Sequence, residues 1–133
     1  MGKAVRFGLA GLLAATLFGA APQAFASHRS GGGGGITTEG ACSATSDWKL
    51  KVSPENNRLE VEFEVDSNVV GQTWKVRLSD NGVRFFQGTA VTQDPSGSFE
   101  VRKLTADQAG TDNILAQAKN MATGETCKGT ASL

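Results

Sequence analysis

Between residues 58 and 66, apolar and acidic side chains alternate without a break. Leu59, Val61, Phe63 and Val65 stand against Glu60, Glu62, Glu64 and Asp66. A period of two sends successive side chains to opposite faces, which predicts a strand with one buried face. The same rhythm runs through residues 73–78, with Trp74, Val76 and Leu78 inward and Lys75 and Arg77 outward. It precedes them in Trp48, Leu50 and Val52, and follows in Phe99 and Val101. Residues 113–120 put Ile114, Ala116 and Ala118 on one face. The last segment sets Cys127, Gly129, Ala131 and Leu133 against Thr126, Lys128, Thr130 and Ser132. No stretch sustains a 3.6-residue apolar period.

Turn residues punctuate these runs: Pro54 to Asn57, Asn81-Gly82, Pro95-Ser96-Gly97 and Thr123-Gly124-Glu125. Asn81-Gly82 favours the positive backbone angles of a two-residue hairpin. Pairing Asp80 with Val83 then places Leu78 opposite Phe85, both facing the core, and Arg77 opposite Phe86 on the outer face. Residues 106–111 read as a loop or a single helical turn. About seven short antiparallel strands result, an all-β sandwich or barrel. Their order stays open. In an immunoglobulin-like sandwich the strands at 58–66 and 73–78 lie in opposite sheets. In a meander they pair, with Glu64 opposite Lys75 and Glu62 opposite Arg77.

The N-terminus reads differently. Lys3 and Arg6 precede an apolar run over residues 7–21, and Ala24-Phe25-Ala26 follows Pro22. A charged start, an apolar core and an A-x-A site define a secretory signal over residues 1–26. The run is shorter than a membrane span needs, so no anchor is expected after cleavage. Residues 27–36 hold five consecutive glycines and read as a flexible tether. The β-sandwich domain is assigned to residues 37–133. Cleavage takes Lys3 and Arg6 from thirteen cations and leaves all thirteen carboxylates. No strongly basic surface follows from that balance, which argues against a nucleic-acid partner.

Cys42 and Cys127 are the two cysteines of a chain read as exported, and they are expected to bond to each other. Closing so long a loop stabilises by roughly 4 to 5 kcal/mol in the chain-entropy model. The single histidine, His28, lies in the tether. No metal site or cofactor is expected, since a metal centre needs three or four clustered ligands.

The runs 48–56, 59–66 and 74–78, together with Thr123-Gly124-Glu125-Thr126-Cys127-Lys128-Gly129-Thr130-Ala131, resemble small exported proteins of high-GC Gram-positive bacteria. The resemblance spans the domain and implies an immunoglobulin-like or fibronectin-type-III-like β-sandwich. It carries no activity with it. Residues 104–110 look like the corner before the sixth strand of an immunoglobulin domain, and Trp74 sits where such a domain keeps its core tryptophan. Two features depart from that pattern. The chain has no tyrosine, and its disulfide links first and last strands rather than second and sixth.

Nucleophilic catalysis needs a base held near Ser or Cys, and the tether cannot hold His28. Glu60, Glu62 and Glu64 share one face, where a solvated surface is the plain reading and a carboxylate-based hydrolase the alternative. The expected function is a secreted, non-catalytic domain binding a protein or a cell-wall polysaccharide. Two surfaces suit it: Phe86 beside Arg77 and Arg84, and the loops 66–72 and 120–123, the first carrying the apolar pair Val69-Val70. Phe86 faces outward or packs beneath a loop; the spacing leaves both open. A further alternative is a protease inhibitor presenting residues 92–98 around Pro95.

Overall fold

A computed structural model describes residues 34–133. The signal over residues 1–26 and the tether as far as residue 33 lie outside the described residues. Eight strands follow: β1 (Ile36–Ala41), β2 (Asp47–Glu55), β3 (Arg58–Asp66), β4 (Thr73–Asp80), β5 (Val83–Val91), β6 (Ser98–Ala106), β7 (Asn113–Asn120) and β8 (Thr126–Ser132). All pair antiparallel in two sheets, ordered β1-β2-β3-β6 and β5-β4-β7-β8. The chain crosses between sheets after β3, β5 and β6. The sheets meet where β8 lies against β1 and β2, and again where β5 lies against β6.

The period-two pattern builds the core directly. Leu50, Val52, Leu59, Val61, Phe63 and Val65 face Trp74, Val76, Leu78, Ile114, Ala116 and Ala118 across the sandwich. Each large side chain so buried contributes about 1.5–3 kcal/mol. Trp74 is fully buried, its ring 6.1 Å from that of Phe99 in a tilted arrangement. At the β1–β8 seam, small residues make room for Trp48. A Cβ on Gly129 would sit 2.6 Å from the indole, and one on Gly40 2.9 Å from it.

Cys42, the residue after β1, is disulfide-bonded to Cys127 of β8, with their Cα atoms 4.3 Å apart. The seam is reinforced by backbone bonds from Ser43 N to Thr126 O (2.8 Å) and Cys42 N to Ser46 O (2.8 Å). Beside it the buried Glu125 carboxylate accepts from Ser46 N and Ser46 Oγ, each at 2.9 Å.

Two expectations change. There are eight strands rather than seven, because residues 36–41 pair with β2, from Ile36↔Val52 to Ala41↔Asp47. That strand begins at Ile36, the last residue assigned to the tether. The hairpin at Asn81-Gly82 forms with Asp80 opposite Val83, both turn residues at positive φ. A bulge between Leu78 and Ser79 then shifts the register, so Leu78 faces Phe86 and Arg77 faces Gln87. Of the two strand orders left open, the one with β3 and β4 in opposite sheets is the one found, so the meander pairs of Glu62 and Glu64 with Arg77 and Lys75 do not form.

The pairing registers gather the turns 42–46, 67–72, 92–97 and 121–125 at the disulfide end. Turns 56–57 and 81–82 and loop 107–112 lie at the other.

Candidate functional site

The outward positions of β5-β4-β7-β8 form a grid read from the pairing. One row holds Thr89, Lys75, Lys119 and Thr126; the next holds Gln87, Arg77, Gln117 and Lys128; a third holds Arg84, Ser79, Leu115 and Thr130. Five of these side chains are cations, and none is a carboxylate. Among the described residues, none of the five cations forms an ion pair, since the ion pairs present engage Lys51 and Arg102 alone. Lys75 and Lys119 are directly opposite across β4 and β7. Like charges so placed destabilise a sheet. Above this face lies an open groove of about 580 Å³, lined by Lys75, Arg77, Lys119 and Lys128 with Gln117 and Met121.

The outer face of the other sheet is built differently. Glu60, Glu62 and Glu64 stand in a row along β3, as expected; Glu60 and Glu62 are ion-paired, while Glu64 is opposite Glu100 and forms no ion pair among the described residues. Arg102 binds Glu62 and reaches Glu60 at 3.8 Å and Glu100 at 3.4 Å; Lys51 lies 3.6 Å from Glu62. The carboxylates hold the Arg102 guanidinium above its ordinary range, Glu62 most strongly and then Glu60. Glu60 is held above the usual carboxylate range, chiefly by hydrogen bonding with Glu55; burial and the Glu55 charge add to this, against Arg102 and Lys51. The two faces thus differ in sign, a segregation that a near-zero net charge conceals.

Of the residues singled out in the sequence, Arg77 and Arg84 are on the basic face and exposed. Phe86 is not beside them. It is opposite buried Leu78 and packs against the core, its ring over Gly88, with Lys103 Nζ 4.6 Å from the ring centroid. The bulge turns it inward, and the lysine covers the open edge between β5 and β6. Val69 and Val70 are half exposed, at 50% and 47%, in the loop leading into β4. Loops 67–72 and 121–125 share an end, and Met121 N donates to Thr73 O at 3.0 Å.

Residues 92–98 form a tight turn, with Gly97 N donating to Gln93 O at 2.8 Å. It is tied to the β3–β4 loop through Thr92, whose buried hydroxyl donates to Val69 O and accepts from Gln72 N at 2.9 Å. At the opposite end Asp80 is buried and its carboxyl is pushed up to about 6, first by burial, then by the neighbouring Asp112 carboxyl, then by the Asp107 charge. Among the described residues no three His, Cys, Asp or Glu side chains cluster as metal ligands do.

Lys75, Lys119 and Lys128 escaped sequence reasoning. Each is merely the polar half of an alternating strand, and only pairing assembles them into one face. The signal available was weak: the outward positions of the strands at 73–80, 113–120 and 126–132 include no acid. No protein-family model matches the chain, and no curated protein matches it.

Proposed function

We propose that this protein is an exported, non-catalytic β-sandwich of immunoglobulin-like topology that binds a negatively charged envelope partner through the outer face of β5-β4-β7-β8. The single observation that carries the reading is the groove walled by cations that form no ion pair among the described residues, with Lys75 and Lys119 face to face. A monomer with no ligand gains nothing from that juxtaposition, whereas an anion set between the two ammonium groups turns repulsion into attraction.

The topology supports the fold assignment. In immunoglobulin-like domains strand B pairs with E in one sheet and C with F in the other. Here β3 pairs with β6, and β4 with β7, and Trp74 of β4 occupies the place of the core tryptophan of strand C. On this correspondence β1 is an additional N-terminal strand. Export is supported by the charged, apolar and A-x-A pattern of residues 1–26 and by the Cys42–Cys127 disulfide.

Co-sedimentation of the purified protein with cell envelopes tests the reading. Saturable retention that falls on Lys75→Gln/Lys119→Gln substitution is the expected result. A protein that stays in the supernatant at low salt overturns it.

A further inference from the structure

We infer that the ligand of the basic face is an acidic polysaccharide. This rests on the binding-domain reading above and specifies its partner. The geometry of the grid sets the ligand's charge spacing. Lys75 and Lys119 are directly opposite on adjacent strands, about 5 Å apart, and converge on one anion; Lys75 and Arg77 are two residues apart on one strand, about 7 Å, and Arg77 and Lys128 are two strands apart with Gln117 between them, about 10 Å. Four cations line the groove, too few to neutralise a duplex that presents a charge every 1.7 Å or so of its axis with both strands counted. A glycan with one carboxylate or sulfate every sugar or two matches them.

The positions between the cations supply the rest. Gln87, Gln117, Thr126 and Thr130 offer amides and hydroxyls, which suit the hydroxyl-rich edges of sugars. No aromatic side chain occupies an outward position of this grid, so bases would find no stacking platform. The carboxylate-rich face of the other sheet repels the same polymer, which confines it to the groove.

Affinity electrophoresis distinguishes the possibilities. The purified protein is run through gels containing polygalacturonate, dextran sulfate or neutral dextran, with duplex DNA as a further arm. Retardation by both acidic polymers but not by dextran is expected, weakening as salt is raised. Comparison of the two acidic polymers shows whether carboxylate or sulfate is preferred.

Lys75→Gln/Lys119→Gln should weaken binding about tenfold, and Arg77→Gln/Lys128→Gln should do likewise. Lys49→Gln/Arg58→Gln removes equal charge from the other sheet and should change affinity less than about twofold. All substituted positions are solvent-facing, and thermal melts establish that each variant is folded. Equal losses in all three variants overturn the inference, because net charge alone would then govern binding. Equal retardation by neutral dextran, or tighter binding of DNA than of either acidic polysaccharide, also overturns it. If neither acidic polymer binds while envelope retention still depends on Lys75 and Lys119, the polysaccharide assignment falls and the binding face stands. If envelopes fail too, both fall.

Discussion

Asp80 ends β4 pointing inward, opposite Ile114, where burial and the Asp112 carboxyl favour its protonated form. A carboxyl at about 6 when folded, against 3.8 ordinarily, makes the folded state hold the extra proton. The stability this contributes is complete below about pH 4 and is lost as pH rises through 6, so between those values the domain weakens by about 1–3 kcal/mol. Asp80→Asn keeps the shape and removes the charge. Urea denaturation should show the variant more stable than wild type at pH 7, with the difference shrinking by pH 4.5; an unchanged pH slope would refute the assignment. Gly129 carries a second expectation. Its missing Cβ is what lets β8 approach Trp48, so Gly129→Ala should cost about 1–3 kcal/mol through overpacking. A melting temperature within error of wild type would show that the indole can move.

Strand β4 joins the two halves of the functional reading. Its inward positions, Trp74, Val76 and Leu78, are fully buried, and its outward ones put Lys75 against Lys119 and Arg77 against Gln117. The like-charge pair is a cost the free sheet bears. Lys119→Glu should therefore stabilise the isolated protein, by about 0.2–1 kcal/mol, while weakening envelope retention. Opposite signs for stability and binding are the outcome to look for in paired melting and sedimentation measurements; a variant that loses stability contradicts the cross-strand account. Strands β2, β3, β4, β7 and β8 were legible because apolar side chains recur at every second position. Strand β1 was not, because an edge strand of Thr, Thr, Glu and Gly carries no alternation. The bulge after Leu78 was hidden as well, since Asn81-Gly82 announces a turn but nothing nearby announces an extra residue in β5.

The sandwich is closed at one seam by a covalent bond between chain segments separated by 85 positions. Its loop-closure contribution of roughly 4 to 5 kcal/mol approaches the entire net stability of an average domain. Reduction with dithiothreitol should lower the denaturation midpoint sharply, and Cys42→Ser/Cys127→Ser should reproduce the shift. A midpoint unmoved by reduction would mean that the bonds of Ser43, Ser46, Glu125 and Thr126 hold the seam unaided. Folding also separates charge over a distance larger than any pair interaction, cations on one sheet and ion-paired carboxylates on the other. On the proposed reading, such an arrangement orients an approaching polyanion before contact and makes association depend on ionic strength.

The disulfide and most strands could be read from the sequence alone, since alternation and turn chemistry are local properties, and the pairing of two cysteines followed from their number and the export signal read in residues 1–26. Which strands are neighbours is neither. Phe86 was a candidate surface residue until a one-residue register shift turned it to the core, because a period of two reverses every side chain when the register slips by one. Arg77 and Arg84 stood out in the sequence, but their partners Lys75, Lys119 and Lys128 come from three strands joined only by hydrogen bonding. Their spacing exists only once β4, β7 and β8 lie side by side.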